Sequence, residues 1–371
     1  MNDARPIGAS VRAELRSTSA RWWFITRKRL PAIGGMERLS HELTSRLARR
    51  RDIAIVAIAQ DQSLAAFLVQ AAAELVRACR QGQVALVHLG DPVLAPLALV
   101  ARRFAVPVVV TIHGLDIVHA SPIYRAWRRT FLRHFDAYVC ISEAARDVAL
   151  RAGLPRARLH VIEPGVEMRP ASSVVREREC LLYVGRLVRR KGVAWFVRDV
   201  LPELARDRPS LRLVVVGEGP QRDAIEAVAQ RAGVTARIDW RGGCDEAEKT
   251  AWLERASLCV MPNVAVPGDM EGFGLVALEA AVAGCPVVAS NLEGLREALA
   301  DGRAGTLLPP QDAAAWIREI RGQLDDPAKS QRRAADAREF RRQHRSWDAS
   351  VASYEQLLQR VTAQRAEAIA P

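Results

Sequence analysis

The chain has 371 residues, 49% of them hydrophobic. That excludes a disordered tail or a small disulfide-stapled scaffold, and by length it predicts two domains more readily than one. The formal charge is +12, and residues 1–170 hold 25 basic against 14 acidic residues while 171–371 hold 29 against 28. Fifty of the 54 basic residues are arginine, with abundant alanine, as in a chain from a G- and C-rich genome. Composition accounts for the arginines but not for their acidic partners being short in one half. The functional reading is that the N-terminal half faces something anionic, a membrane surface or a phosphate-bearing acceptor.

No apolar run approaches the ~20 residues of a membrane span; residues 93–101 come closest and stop at Arg102 and Arg103. Residues 1–20 are polar, bear arginine and lack the apolar core of a secretory leader. The expected location is therefore cytoplasmic. The six cysteines are scattered with no C-x-x-C, which predicts reduced thiols and no zinc ribbon.

Residues 1–20 read as an N-terminal extension. Strand-like runs then follow at 21–26, 52–59, 84–89, 106–112, 137–142 and 159–162. Each is continuous and β-rich, as for parallel strands buried on both faces. Helical periodicity fills the gaps, for instance at 37–50 and 64–80. Residues 166–179 are polar and aperiodic and read as a linker. A second series has strands at 180–184, 211–216, 237–240, 258–261, 286–289 and 306–308. The closing residues are helical and charged, broken at Pro327. The fold class is α/β: two doubly wound Rossmann-like domains, 21–168 and 180–335, then a helical segment 336–371 expected to pack back on the first domain. Such sheets bind ligands at the C-terminal ends of their strands, which directs attention to the strand-to-loop junctions.

The first junction carries Gly34-Gly35 before a helix. It reads either as a plain turn or as an anion site at a helix N-terminus. The fourth strand ends at His113, which could donate to a substrate oxygen or tie down a loop. Its spacing to Asp116 and His119 matches no standard metal motif. The second domain opens on Gly185-Arg186, with Lys191-Gly192 after it; two cations there suit a diphosphate. Arg189 and Arg190 read as a solvated basic loop. The most informative stretch runs from Glu271 through Gly272, Phe273, Gly274 and Leu275 to Glu279. Glu279 interrupts an apolar helix, where a carboxylate needs partners, and a ligand's hydroxyl pair would supply them.

These motifs, in this order, resemble those of family 4 of the retaining GT-B glycosyltransferases, the glycosyl transferases group 1. The resemblance covers roughly residues 21–320. Its most specific element is E-x7-E, Glu271 to Glu279; Val216-Gly217-Glu218-Gly219-Pro220 and Gly34-Gly35 also appear in the family's order. Where that family commonly has Asn-Gly, this chain has Pro164-Gly165. The resemblance implies a GT-B fold whose domains face a central cleft. It implies transfer of a sugar from a nucleotide-diphosphate sugar to a hydroxyl acceptor with retention, without a metal or other cofactor. Catalytic roles fall to Glu271, His113, Arg186 and Lys191. Glu271 and His113 would contact the sugar, and Arg186 and Lys191 would neutralise the leaving diphosphate. Donor binding falls to Gly34, Gly35, Glu279, Gly272, Phe273, Gly274 and Leu275, with Glu279 on the ribose, while Gly242, Gly243 and Cys244 lie where the base is held. The expected partners are a nucleotide sugar and a carbohydrate or lipid-linked acceptor, in bacterial cell-surface polysaccharide, lipopolysaccharide or glycolipid synthesis. A peripheral position on the cytoplasmic face of the inner membrane follows from the basic first domain and from residues 124–134, which mix aromatics with arginines. Two alternatives are another GT-B enzyme, such as a nucleotide-sugar epimerase, and a basic nucleic-acid-binding protein. The latter would have to work without any recognised binding signature.

Overall fold

The computed structural model describes residues 20–28, 34–119, 121–168, 174–344 and 346–367. The chain divides into two compact units, each built on a six-stranded parallel sheet. The first takes the described residues up to Ile141, then Arg146–Ile162, then those from Asp348 onward; the second takes Ser142–Ala145 and Glu163–Trp347. Of the expected extension at 1–20, all but Ala20 lies outside the described residues, as does the middle of the expected linker.

The first sheet comprises β1 (Arg21–Thr26), β2 (Ile53–Ala57), β3 (Val84–Leu89), β4 (Val108–Ile112), β5 (Ala137–Cys140) and β6 (Leu159–Val161), in the order β2-β1-β3-β4-β5-β6. Its helices are α1 (Gly35–Ala48), α2 (Leu64–Arg80), α3 (Leu97–Arg103), α4 (Leu115–Val118), α5 (Pro122–Phe131) and α6 (Glu143–Arg151). Helix α2 shows why these segments fold as they do. Phe67, Ala71, Leu75 and Ala78 recur at helical spacing and are buried, Ser63 caps the start by accepting from the Ala66 N–H, and Arg77 and Arg80 meet the dipole at the end. Burying a side chain such as Phe67 or Leu75 contributes about 1.5–3 kcal/mol. β4 is buried throughout, as its continuous apolar sequence predicts, whereas β2 departs from that expectation because it sits at the sheet edge with no buried residue.

The second sheet comprises β7 (Cys180–Val184), β8 (Arg212–Val216), β9 (Ile238–Gly242), β10 (Leu258–Met261), β11 (Val287–Ser290) and β12 (Thr306–Leu308), in the order β12-β11-β10-β7-β8-β9. Around it lie α7 (Val193–Asp199), α8 (Leu201–Asp207), α9 (Arg222–Arg231), α10 (Glu246–Arg255), α11 (Leu275–Val282), α12 (Gly294–Ala298), α13 (Ala313–Asp325) and α14 (Pro327–His344). Pro327 opens α14, where its missing N–H costs nothing. The core runs from Leu181, Tyr183 and Leu213 through Trp195 and Phe196 to Trp316 and Ile320.

Three arginines fasten this unit's helices at their C-terminal ends. Arg176 donates to the carbonyls of Leu253 (2.8 Å), Ala256 (2.9 Å) and Ala283 (2.9 Å), behind α10 and α11. Arg338 donates to Val282 (2.9 Å). Arg341, fully buried, donates to Glu297 and Ala298 at the end of α12. Each supplies cationic donors where helix carbonyls are left over.

The last helix, α15 (Trp347–Glu367), completes the core of the first unit: Val351, Tyr354, Leu357, Leu358 and Val361 pack with Trp22, Phe24, Leu43, Leu86 and Val109. Arg50 and Arg51 pair with Asp348 and Glu355 at 2.9 and 2.5 Å. No helix among the described residues is long and apolar enough to cross a membrane.

Candidate functional site

Both strand orders reverse direction at one place, between β1 and β3 in the first sheet and between β7 and β10 in the second. A crevice opens there beyond the strand ends. Gly34 and Gly35 follow β1, and Gly185, Arg186, Lys191 and the Glu271 loop follow β7 and β10, whereas His113 follows β4 and Gly242 to Cys244 close β9.

In the second unit, β7 runs into Gly185 and Arg186, whose carbonyl accepts from Tyr183 Oη at 2.9 Å. Arg186 is exposed. A tight turn, Arg189–Lys191, follows and closes on Gly192. Gly192 has φ 67°, and a Cβ there would fall 1.8 Å from the Pro262 carbonyl oxygen, so backbone approach to the end of β10 requires glycine. Arg189 is exposed, but Arg190 is buried, which corrects the expectation of a solvated loop. Its guanidinium lies 3.3 Å from Asp269 and 3.7 Å from Glu271, so it belongs to the site's electrostatics.

Glu271 gathers the other charges. Lys191 Nζ lies 2.5 Å from its Oε2, and Asn263 Nδ2 donates to the same oxygen at 3.1 Å. Glu271, Lys191, Arg190 and Asn263 are all nine-tenths or more buried. Burial pushes the Glu271 carboxyl up, yet Lys191 and Arg190 outweigh it and hold the group below the usual carboxylate range. The Glu271 N–H donates to the Glu293 carboxylate at 2.5 Å. Burial pushes Glu293 up against the hydrogen bond from the Glu271 N–H and the charge of Arg190, while the carboxylates of Glu271 and Asp269 add to the rise.

Glu271 lies in the loop and Glu279 on the helix after it. Gly272 and the buried Phe273 connect them to Gly274, which starts α11 without a side-chain cap. Leu275 is the first helical residue, so the N-terminal N–H groups of α11 point out of this loop. Glu279 Oε2 pairs with Lys249 Nζ at 2.8 Å, and Lys249 also reaches Glu246 at 2.8 Å. The Gly243 N–H meets Glu218 Oε1 at 3.3 Å at the end of β9, beside Gly242 and the half-buried Cys244.

In the first unit, Gly34 precedes α1 and Gly35 is its first residue, the position expected of them; residues 29–33 lie outside the described residues. The buried Glu37 takes Lys28 Nζ at 2.8 Å in the first turn of α1. Arg27 pairs with the buried Asp91 at 2.8 Å. His113 is also buried, and its Nε2 lies 2.9 Å from the Gly90 carbonyl, which can only accept. Nε2 therefore carries the proton. Nδ1 is buried with no hydrogen-bond partner among the described residues. In the neutral ring Nδ1 is an acceptor. The His113 N–H donates to the Asp116 carboxylate at 3.0 and 3.1 Å. Burial pushes Asp116 up to about 6, against the pull of His113. Beneath, His88 meets Thr111 at 2.9 Å, and Thr111 meets Tyr354 at 3.3 Å; burial and the nearby His113 push His88 down to about 3.

Among the described residues no group of three or more His, Cys, Asp or Glu side chains could hold a metal ion. The structure thus brings Lys191 and Glu271 into contact, places Glu279 on the next helix, and keeps His113 with Gly34 and Gly35 in the first unit. Arg190, Lys249, Asn263 and Glu293 are members of the site that spacing alone did not reveal.

Residues 33–169 match the family described as Glycosyltransferase Family 4, and residues 178–326 match Glycosyl transferases group 1. A glycogen synthase of Mycobacterium tuberculosis is 35% identical over 68% of this chain, which spans 63% of that protein's length. A GDP-mannose-dependent alpha-(1-6)-phosphatidylinositol monomannoside mannosyltransferase of Mycolicibacterium smegmatis is 30% identical over 71% of this chain and 74% of its own. Among solved structures, Anabaena Alr3699/HepE in complex with UDP superposes with a TM-score of 0.73 at 17% identity, covering 91% of this chain and 99% of that one. A sucrose-phosphate synthase from Thermosynechococcus elongatus gives 0.76 at 22%, covering 93% and 100%.

Proposed function

This chain belongs to family 4 of the glycosyltransferases, the glycosyl transferases group 1, and from that membership we propose that it moves a sugar from a nucleotide-diphosphate sugar to a hydroxyl acceptor with retention of configuration. The observation that carries the reading is the buried Lys191–Glu271 contact, eight residues before Glu279, where the second sheet reverses.

In this reading Glu279 accepts the ribose hydroxyls and Glu271 the hydroxyls of the sugar. Breaking the anomeric C–O bond sends its electron pair to the diphosphate oxygen and leaves positive charge on the ring. Lys191, Arg186 and the N-terminal N–H groups of α11 meet the growing negative charge, the kind of preorganised stabilisation that acts most strongly away from water. The acceptor oxygen bonds to the anomeric carbon on the same face, and its proton passes to the leaving phosphate oxygen. His113 offers Nδ1 to a sugar hydroxyl. These groups supply the charge compensation without a metal.

The acceptor class is a saccharide or lipid-linked saccharide of bacterial surface polysaccharide, lipopolysaccharide or glycolipid synthesis. Support comes from α5, which exposes Ile123 at 83% together with Arg125 and Arg129, a pattern suited to an anionic membrane surface.

The test is thermal stability against UDP, GDP, ADP, dTDP and CMP. A nucleotide at 100 times its Kd stabilises by ~2.7 kcal/mol. One nucleoside diphosphate should stand out and lose its effect in Glu279→Ala. No response to any of the five, or an unchanged response in that variant, contradicts the reading.

A further inference from the structure

Glu293 occupies backbone space that side chains avoid, φ 50° and ψ −138°, at the head of α12. Such a residue persists only where its surroundings hold it there, and such positions cluster at functional sites. What holds this one is Glu271. The Glu293 carboxylate accepts from the Glu271 N–H at 2.5 Å, and the next N–H, of Gly294, donates to the Glu271 carbonyl at 3.2 Å. Gly294 is pressed so close that a Cβ there would lie 2.4 Å from the Gly272 oxygen and 2.5 Å from Phe273 Cα. Two successive residues thus grip both backbone polar groups of Glu271, while Lys191 and Asn263 grip its carboxylate.

A glycine at 293 would adopt this backbone without strain. The glutamate contributes the one feature glycine lacks, an acceptor for the Glu271 N–H. We propose that Glu293 is a positioning residue for Glu271: it fixes the backbone from which that carboxylate reaches the donor's sugar, and so sets sugar recognition apart from nucleotide recognition. The proposal rests on Glu271 being the sugar contact.

The experiment compares Glu293→Gly and Glu293→Gln with the wild type, using UDP and UDP-glucose, GDP and GDP-mannose, and ADP and ADP-glucose. For the pair that the wild type binds, Glu293→Gly should melt close to the wild-type temperature, because relieved strain offsets the lost acceptor for the Glu271 N–H. It should bind the nucleoside diphosphate as the wild type does, and the nucleotide sugar roughly ten- to a hundredfold more weakly, the scale on which small misplacements act. Glu293→Gln keeps an acceptor oxygen and should retain most of the sugar-dependent affinity. A merely structural role moves stability and both affinities down together, and that result overturns the proposal. So does a Glu293→Gly protein with an unchanged ratio of the two affinities. If the wild type binds no member of any pair, the donor-site reading itself falls, and this inference with it.

Discussion

Lys191 Nζ stands 2.5 Å from Glu271 Oε2, and both side chains are buried. The cation proposed to meet the leaving diphosphate is therefore already partnered by the carboxylate proposed to hold the sugar. A diphosphate at this place shares Lys191 rather than capturing it, and Arg190, 3.7 Å from the same oxygen, keeps Glu271 compensated.

Lys191→Met should consequently cost both stability and nucleotide affinity. Removing one partner of a buried ion pair costs about 3–5 kcal/mol, and Arg190 and Asn263 hold this case to the lower end. Lys191→Met combined with Glu271→Gln should be more stable than the sum of the single losses allows. Urea unfolding of the four proteins reads the coupling; strictly additive losses would show the pair to be uncoupled.

Acid should act on the two carboxylates in opposite directions. Glu271 is held below its ordinary 4.5, so its contribution is complete above that value and is lost as pH falls through its lower folded value. Asp116 is pushed from 3.8 up to about 6. The folded state then binds the extra proton between those values, so stability falls as pH rises from 3.8 to 6. Asp116→Asn should remove that slope and leave the more acidic one; Glu271→Gln should do the reverse. Denaturant midpoints between pH 3 and 7 check both signs.

Lys249 should report on the ribose. It holds Glu279 at 2.8 Å, and Glu279 is the proposed acceptor for the ribose hydroxyls. Lys249→Met should weaken binding of the matching nucleoside diphosphate by about tenfold, ~1.4 kcal/mol, and leave binding of its 2′,3′-dideoxy analogue unchanged. Calorimetry with the two ligands decides it, since equal losses would place Lys249 elsewhere in recognition.

Gly192→Ala should be among the costliest single changes in the second unit. The added methyl would meet the Pro262 carbonyl, which is backbone and cannot swing away, at a φ of 67°. A loss of several kcal/mol is expected from strain and overpacking, with nucleotide binding falling alongside because the Lys191 turn ends there.

The charge on α5 is tested with vesicles of phosphatidylcholine alone and with added phosphatidylglycerol. Arg125→Glu with Arg129→Glu should abolish sedimentation with anionic vesicles and leave enzymatic transfer to a soluble acceptor intact. Binding of the unmodified protein should weaken steeply with salt, as a surface-charge attraction must. Equal binding to neutral vesicles would point instead to Ile123.

The strands, the glycine-bearing junctions and the two glutamates were legible in the sequence because their signals are local. Continuous apolar runs end at glycines, and a carboxylate interrupts an apolar helix. Edges are less legible: β2 reads like its buried neighbours, because nothing local marks a strand as outermost. The same limit hid Arg190, which differs from Arg189 only in the direction its turn sends it. Lys249, Asn263 and Glu293 reach the site from α10, the end of β10 and the head of α12. Their roles come from pairings with Glu279 and Glu271 that topology, not spacing, creates.

The core of the first unit is finished by Val351, Tyr354, Leu357, Leu358 and Val361, residues that follow the entire second unit in the chain. On the ribosome, the segment carrying β1 to β6 therefore emerges without the side chains that cover Trp22, Phe24 and Leu86. It must wait, incompletely packed, while the chain from Val161 to Val361 is made at about 5–20 residues per second. The second unit's core, which closes with Trp316 and Ile320, is made before any of those last-helix residues. The unit that is made first is thus the unit whose core is completed last.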